Sequence, residues 1–331
     1  MSDRVLICGL NWLGDTLMSL PAVRAFRSTV PGREITVLAK PQMLPVWEMA
    51  GCATTLLPLE RGMAGTWRTV SRVRRDGCRV AHVFPNSFRS ALLPFLGLVP
   101  ERVGLPGHQR VWMLTRVATL SAEAQSGHQS LEYFDILGIG HAPAAQAGCL
   151  LNVPPDAERS AAGPLAAWAG GAPLAAMIPG AARGPAKRWP ERHFIHAGRE
   201  LAGAGVRVVV LGAPSEAELC GRVADGVGAA CLNMAGKTSL AQMAACLRGC
   251  RVAVTNDSGG MHMAAAVGTK VVAVFGLTDP GKTGPMGEGH AVLVAAGASG
   301  RRDVARNSRA AAAALESVGP DKVVAAVRER L

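Results

Sequence analysis

Several common sequence patterns are missing from this chain, and its aromatic residues are few. No apolar run approaches the length of a membrane-spanning helix, and only 4% of the 331 residues are aromatic. The dinucleotide fingerprint GxGxxG, the GxSxG elbow of acyl hydrolases and any CxxC pair are absent. The eight cysteines lie mostly in apolar surroundings, which favours reduced core thiols over disulfides or a zinc site. No cluster of Asp, Glu or His has metal-ligand spacing, so we expect neither a metal nor a cofactor.

Acidic residues are also scarce: 24 of them accompany 35 lysines and arginines, which leaves a net charge of +11. Nucleic-acid binding would bring a recognisable module with interleaved aromatics, and neither is visible, so we expect no nucleic-acid partner. Attraction to an anionic membrane surface or to a phosphorylated acceptor fits the charge better. For any single arginine, an ordinary solvated surface is the favoured interpretation. The arginines are concentrated in the N-terminal half: Arg68, Arg72, Arg74, Arg75, Arg79, Arg89, Arg102, Arg110 and Arg116.

The length and the pattern predict a soluble α/β protein of two doubly wound domains. Both halves repeat strand, turn and helix, which is typical of two parallel sheets that face each other across a cleft. A stretch rich in Ala, Gly and Pro at 141–173 indicates a linker. We therefore predict domains at 1–165 and 174–310, and a C-terminal helix at 311–331 that packs back towards the N-terminal domain. The chain enters the strand VLICGL without a signal-peptide pattern, which predicts a cytosolic protein.

The N-terminal half opens with a strand, a turn and a helix. Asp15 is predicted at the start of this helix, on the carboxyl edge of the sheet. Its carboxylate either stabilises the helix terminus or acts as a general base, and the residues alone favour the first role. Further along, residues 65–75 predict a basic amphipathic helix with Trp67 and Val70 inward and arginines outward.

Residues 251–280 are the most informative stretch of the C-terminal half, since they predict strand, polar turn, helix and strand. Asn256, Asp257 and Ser258 are candidates to accept hydrogen bonds from the first N–H groups of the helix. Those N–H groups, the positive end of the helix dipole and two glycines would suit a diphosphate. An ordinary turn in which Asp257 only caps a helix is an equally good interpretation of this stretch by itself.

Four turns of the C-terminal half are predicted to open on one edge of its sheet: 179–187, 212–216, 236–239 and 256–262. Together they offer glycines, a lysine, a carboxylate and a helix N-terminus, which would hold a nucleoside diphosphate. Lys187 either stabilises charge on a diphosphate leaving group or is a surface lysine beside a tryptophan. His262 either donates to a phosphate or is a packing residue. The chemistry left open is group transfer from a nucleotide-activated donor, with a carboxylate such as Asp15 activating the acceptor.

Several longer motifs follow one another along the chain: NWLGD at 11–15, PNSFRSAL at 85–92, PGA at 179–181, GPAKRWP at 184–190, and NDSG with MH at 256–262. Together they resemble the ADP-heptose:lipopolysaccharide heptosyltransferases of glycosyltransferase family 9, up to about Pro280. The resemblance implies a GT-B fold with an acceptor-binding N-terminal domain and a donor-binding C-terminal domain. It implies inverting, metal-independent transfer from ADP-heptose to a phosphorylated inner-core heptose of lipopolysaccharide. The enzyme would be peripheral at the anionic cytoplasmic face of the inner membrane.

The resemblance also assigns roles to single residues. It implies that Asp15 is the general base and that Lys187 stabilises the diphosphate. The donor-binding residues that it implies are Gly180, Ala181, Lys187, Glu216, Thr238, Asp257, Ser258, Gly259 and His262. The acceptor-binding residues that it implies are Asn11, Trp12, Asn86, Ser87 and Arg89. Phosphates on the acceptor would also account for the N-terminal arginines.

One departure from the family keeps the acceptor open. Many second heptosyltransferases carry a cysteine-containing stretch after the matched region, whereas residues 287–309 contain none, and 297–309 is predicted to be a mobile basic loop. A sugar transferase of the same fold that acts on a secondary metabolite or a protein is therefore an alternative. A nucleotide-sugar-binding module without catalysis, or an epimerase on a similar scaffold, is a second alternative, and nucleic-acid binding is the weakest.

Overall fold

A computed structural model gives the fold, and it describes residues 4–141, 150–297, 305 and 307–331. The chain divides into two compact units, Met1–Gln146 and Ala147–Leu331, and each unit contains one six-stranded parallel sheet. The predicted α/β class and the two doubly wound units are confirmed. The predicted boundary at residue 165 is not, because residues 150–165 belong to the second unit.

The strands of the first unit are β1 (Arg4–Cys8), β2 (Glu34–Ala39), β3 (Thr55–Pro58), β4 (Val80–Val83), β5 (Glu101–Gly104) and β6 (Arg116–Val117). Its helices are α1 (Leu13–Thr29), α2 (Leu44–Ala50), α3 (Gly62–Asp76), α4 (Phe88–Leu96), α5 (Ala122–Ser126) and α6 (Ser130–Leu137). The sheet order is β3, β2, β1, β4, β5, β6, so it reverses between β1 and β4. In register, Val5 pairs with Ile35 on one side and with Val80 on the other.

The strands of the second unit are β7 (Leu174–Ile178), β8 (Arg207–Val210), β9 (Cys231–Asn233), β10 (Val252–Asn256), β11 (Lys270–Phe275) and β12 (Ala291–Val294). Its helices are α7 (Pro155–Ala157), α8 (Gly163–Ala169), α9 (Glu191–Gly203), α10 (Ala217–Val227), α11 (Leu240–Arg248), α12 (Gly259–Ala266), α13 (Pro280–Thr283), α14 (Arg309–Glu316) and α15 (Pro320–Arg328). The order β12, β11, β10, β7, β8, β9 reverses between β7 and β10. The central strands β7 and β10 are buried along their whole length, because helices cover both faces of a parallel sheet.

The predicted linker is largely helical where the structure describes it. A π-helical turn, Glu158–Ala162, joins α7 to α8, and this segment packs on α11 through an ion pair between Glu158 and Arg248 at 2.9 Å. These contacts place residues 150–165 in the second unit. Residues 142–149 of the predicted linker, and most of the loop predicted at 297–309, lie outside the described residues.

The C-terminal helix is predicted to pack back towards the N-terminal domain. In the structure, the apolar side of α15 lies in the core of the second unit, against α9 and the strands β10 and β11. Val323, Val324 and Val327 are buried there. This unit therefore extends to the end of the described chain.

The cysteines confirm one prediction. All seven that the structure describes are free, and six of them are buried.

Among the residues that the structure describes, no helix combines the length and the apolar character that crossing a membrane requires.

Helix α3 confirms the predicted basic helix, but the predicted orientation of Trp67 is wrong. The buried side of α3 consists of Gly65, Thr69, Val70 and Val73, whereas Trp67 is 59% exposed. At about 100° per residue, Trp67 points some 130° away from the middle of that stripe. Trp67 and Val70 are nevertheless only about 60° apart around the helix, so the edge of the buried stripe runs between the two apolar residues predicted to share one face.

We expect Gly198 to be required for the packing of α9 on α10. A Cβ at this position would overlap Val227 Cγ2, and the branched valine cannot move aside easily. Gly198→Ala should lower the free energy of unfolding by about 1–3 kcal/mol, as overpacking does. Val227→Ala in the same chain should restore part of the loss. The measurement is the shift of the unfolding midpoint in urea.

A matched control lies on the same helix. A Cβ at Gly203 would meet no atom within 4 Å, so Gly203→Ala should change stability by no more than about 0.5–1 kcal/mol. If Gly198→Ala lowered the free energy of unfolding as little as Gly203→Ala, the described close contact between α9 and α10 would be contradicted.

Candidate functional site

The four polar turns of the second unit lie on one edge of its sheet. They follow β7, β8, β9 and β10, and these strands run parallel. This confirms the predicted common edge. The turns after β7 and β10 flank the point where the strand order reverses, which is where doubly wound sheets bind their ligands.

Asn256 holds these two turns together. Its side chain is buried, its Nδ2 donates to the carbonyl of Pro179 at 2.7 Å, and its Oδ1 accepts from the N–H of Trp189 at 2.8 Å. The sequence predicts that Asn256 caps a helix, but its side-chain amide instead forms hydrogen bonds with the loop after β7. Asn256 is therefore a positioning residue of this edge.

Lys187 and Asp257 form a nearly buried ion pair beside Asn256. Lys187 Nζ lies 2.5 Å from Asp257 Oδ2, and both side chains are less than 10% exposed. The hydroxyl of Thr278 donates to the same carboxylate oxygen at 2.9 Å. Thr278 is absent from the predicted site, and its only signal in the sequence is its place in the polar turn after β11. The pair puts one cation and one carboxylate at the edge.

The N-terminus of α12 lies in the same turn. Ser258 is the N-cap residue, but its side chain does not cap the helix, and its buried hydroxyl has no hydrogen-bond partner among the described atoms. A Cβ at Gly260 would come within 2.8 Å of Ile178, so only glycine lets the helix lie this close to β7. Gly259 precedes it, and His262 is buried in the first turn. Such a terminus is suited to an anion.

Glu216 connects the loops after β7 and β8. Its carboxylate accepts from the N–H of Ala213 at 2.9 Å and lies against Gly180, where a Cβ would overlap it. Burial, together with the nearby Glu216, raises the pKa of the Cys220 thiol to about 12, so this thiol stays protonated. Ala181, next to Gly180, is buried.

The turns after β8 and β9 also touch each other. Gly236 has a positive φ of 73°, and a Cβ there would lie 3.2 Å from Pro214 Cα. Thr238 follows two residues later and is partly exposed. The donor-side residues named from the sequence therefore lie on consecutive turns of one sheet edge.

In the first unit, Asp15 lies in the first turn of α1, immediately after β1. Gln129 Nε2 donates to Asp15 Oδ1 at 3.4 Å and to the hydroxyl of Tyr133 at 3.0 Å. Gln129 is the N-cap residue of α6 and Tyr133 lies within that helix, and neither contact is predicted from the sequence. No local pattern indicates a contact between residues that lie 114 positions apart.

The other acceptor-side residues lie at the carboxyl ends of β1 and β4, on either side of the reversal. Asn11 is partly exposed, and Trp12 is exposed. Asn86 contacts Gly107, and Ser87 caps α4 by accepting from the N–H of Ser90.

Two arginines connect the region after β4 to neighbouring segments, Arg89 to the segment after β3 and Arg110 to the segment after β5. Arg89 donates to the carbonyl of Glu60 at 2.8 Å. Arg110, assigned above to the N-terminal arginine surface, is fully buried, and it donates to the carbonyls of Pro85 and Leu105. The prediction that Arg110 belongs to a basic surface is therefore wrong, because its guanidinium binds backbone carbonyls in the interior. Burial lowers the pKa of Arg110.

Among the described residues, no group of three or more His, Cys, Asp or Glu is placed to hold a metal ion.

Residues 66–312 match the sequence family described as glycosyltransferase family 9 (heptosyltransferase), which is more than half of the chain. The chain belongs to glycosyltransferase family 9, the heptosyltransferases. The lipopolysaccharide heptosyltransferase 2 of Escherichia coli K12 is 30% identical to it over 300 residues, which cover 86% of this chain and 85% of that protein.

Solved structures support the fold of this family 9 heptosyltransferase. The E. coli ADP-heptose lps heptosyltransferase II is 25% identical, with a TM-score of 0.83 and coverage of 98% of both chains. The E. coli heptosyltransferase WaaC with ADP is 21% identical, with a TM-score of 0.76 and coverage of 99% of this chain and 100% of that one. The chain thus has the two Rossmann-like units of the GT-B fold.

We expect Asn256→Asp to disrupt the edge of the second unit. The new carboxylate would be buried against the carbonyls that the amide now donates to, so the free energy of unfolding should fall by about 2–4 kcal/mol. Urea unfolding and the near-ultraviolet circular dichroism of Trp189 would measure the change.

Asn233→Asp is the matched control, because Asn233 Oδ1 only accepts from the N–H of Ala235 and a carboxylate can do the same. The free energy of unfolding of Asn233→Asp should lie within about 0.5 kcal/mol of that of the parent. Equal effects of the two changes would show that the bonds of Asn256 are unimportant.

Proposed function

We propose that this heptosyltransferase is an inverting enzyme that moves heptose from ADP-L-glycero-D-manno-heptose to an inner-core heptose of lipopolysaccharide. The observation that carries the proposal is the ion pair of Lys187 and Asp257 at the reversal of the second sheet, beside the N-terminus of α12. The E. coli relatives named as lipopolysaccharide and ADP-heptose heptosyltransferases support the donor and the acceptor. They also favour lipopolysaccharide over a secondary metabolite or a protein as the acceptor.

The second unit would bind the donor. Its diphosphate would lie against the free N–H groups of α12 and the ammonium of Lys187, which together supply the positive charge without a metal. Gly259 would allow the ligand to approach bare backbone, and Gly180 and Ala181 would line the site from the loop after β7. On the turns after β8 and β9, Glu216 and Thr238 would contact the nucleoside. Ser258 and His262 would donate to the phosphates.

The first unit would bind the acceptor and supply the base. The acceptor oxygen forms a bond to the anomeric carbon while the bond from that carbon to the β-phosphate oxygen breaks. The hydroxyl proton passes to Asp15, and the electron pair leaves with ADP. Gln129 would hold the carboxylate in place. Asn11, Trp12, Asn86 and Ser87 would contact the acceptor sugar, and Arg89 would attract its phosphates.

The location that we propose follows from the acceptor, which is a lipid. The enzyme would act as a peripheral protein at the cytoplasmic face of the inner membrane. Its net charge of +11 suits an anionic surface.

The direct test is incubation with ADP-heptose and a lipid-free inner-core oligosaccharide that ends in the first heptose. We expect release of ADP and a gain of one heptose residue on the acceptor, measured by coupled assay and mass spectrometry. Lys187→Met should lower kcat by about 10²–10³, the usual effect of removing one charge-stabilising donor. Lys270→Met removes an exposed lysine at the opposite end of β11 and should leave kcat unchanged.

Transfer from another sugar nucleotide, with none from ADP-heptose, would show that the proposed donor is wrong. Transfer only to a non-lipopolysaccharide acceptor would show that the proposed acceptor is wrong. A Lys187→Met enzyme with the parent kcat would remove Lys187 from the mechanism.

A second prediction concerns the base. Asp15→Asn should lower kcat by about 10²–10⁴, because an amide cannot take up the proton. The affinity for ADP, measured by calorimetry, should stay the same since the donor residues belong to the other unit. Glu48→Gln neutralises an exposed carboxylate of the same unit and serves as the control. If Asp15→Asn turned over as fast as the parent, another group would be the base.

A further inference from the structure

Four large apolar side chains of the first unit are exposed near the carboxyl edge of its sheet. Met63 is 82% exposed, Trp67 59%, Phe88 43% and Trp112 61%. They lie in the segments that follow β3, β4 and β5, and parallel strands end at the same edge. The chain has 14 aromatic residues besides histidine, and three of them, Trp67, Phe88 and Trp112, are exposed at this one edge. Packing of the core does not explain such a concentration of exposed rings.

Contacts of these side chains or of their sequence neighbours place the four close together, and we call Met63, Trp67, Phe88 and Trp112 the aromatic surface. Met63 and Trp67 are one helical turn apart on α3. Arg89, next to Phe88, donates to the hydroxyl of Thr66, next to Trp67, at 3.3 Å. The ring centroids of Phe88 and Trp112 are 6.3 Å apart.

Positive charge surrounds the aromatic surface. Arg102 lies over the ring of Phe95, 5.4 Å from its centroid, and Phe95 contacts Trp112 at 5.2 Å. The arginines of this region are Arg61, Arg68, Arg72, Arg89 and Arg102. Glu60 binds two of them, at 2.6 Å each. The region is therefore cationic after its ion pairs are counted.

We propose that the aromatic surface docks the enzyme on an anionic lipid bilayer. Tryptophan, phenylalanine and methionine would enter the boundary between headgroups and acyl chains, while the arginines bind lipid phosphates. The occupant is a bilayer because the apolar side chains are ringed by cations, which a second copy of this cationic surface would repel.

The position of the aromatic surface fits the proposed acceptor. Phe88 directly follows Asn86 and Ser87, which we assign to the acceptor, so docking would bring that edge to the membrane that holds it. In this respect the inference rests on the proposed function. The surface also explains why Trp67 faces solvent on an amphipathic helix.

The test is co-sedimentation of the full chain with vesicles of phosphatidylcholine alone or with about a third phosphatidylglycerol. We expect binding to the anionic vesicles only, weakened by salt. Trp67→Ser with Trp112→Ser should weaken it at least about tenfold, since both buried ring surfaces are lost. Val294→Ser with Leu331→Ser removes two exposed apolar residues of the second unit and should have no effect.

Charge is tested separately with two double variants that have the same net charge, each two units below the parent. Arg61→Gln with Arg68→Gln should weaken binding by roughly tenfold or more, since each arginine near an anionic surface contributes. Arg199→Gln with Arg251→Gln removes two exposed arginines of the second unit and is the control. Brominated lipids should quench the fluorescence of Trp67 and Trp112 in the parent, and thermal midpoints check that each variant is folded.

Three sedimentation results would overturn the proposal. They are equal vesicle binding by the parent and the Trp67→Ser/Trp112→Ser variant, equal binding to neutral and anionic vesicles, and a dimer in sedimentation that this variant abolishes. The two proposals fail differently. If no heptose is transferred but vesicles bind through the aromatic surface, only the proposed function is lost. If this variant keeps the parent kcat/KM on lipid-free acceptor and on vesicle-embedded acceptor alike, only the docking surface is lost.

Discussion

The buried amide of Asn256 is the contact on which the edge of the second unit depends. It joins the end of β10 to the loop after β7 by hydrogen bonds in both directions, and one of these fixes the N–H of Trp189. The indole of Trp189 then donates to the carbonyl of Val318 at 2.8 Å, which ties the loop to the segment between α14 and α15. Buried backbone groups require partners, so the loop can lie in the interior only with such bonds. Lys187 and Asp257 become neighbours because each lies within two residues of this junction.

Buried backbone groups of the first unit also require partners, and there an arginine side chain provides them. Arg110 is fully buried and donates to carbonyls of the segments after β4 and β5, as Asn256 does after β7. A guanidinium has five donors in a rigid plane, so one residue can hold two loops. Burying the charge is costly, and the depressed pKa of Arg110 reflects that cost. In each unit a buried donor holds a turn next to the reversal, the turn after β4 in the first unit and the turn after β7 in the second, and both turns carry residues that we assign to ligands.

The sequence predicts the long strands and the common edge because β-branched runs and parallel order are local and topological properties. It does not predict β3, β6, β9 or β12, since strands of two to four residues give little periodicity. It does not predict that Gln129 meets Asp15 or that Thr278 meets Asp257, because those contacts depend on tertiary packing. The orientation of Trp67 fails for a related reason. The stripe that α3 buries contains Gly65 and Thr69, and a count of large apolar residues gives such small ones no weight.

The ion pair of Lys187 and Asp257 does not block a diphosphate. An ammonium has three donors, and Asp257 accepts only one of them, so two remain for phosphate oxygens. Thr278 donates to the same oxygen of Asp257, which weakens the pull of that carboxylate on the lysine. In the reaction that we propose, charge would grow on the leaving phosphate and the ammonium would shift its strongest bond towards it. Asp257, itself held by Thr278, would still orient the ammonium. In the proposed mechanism, Asp257 would therefore supply the preorganisation that electrostatic stabilisation of a transition state requires, although it looks like a competitor for Lys187.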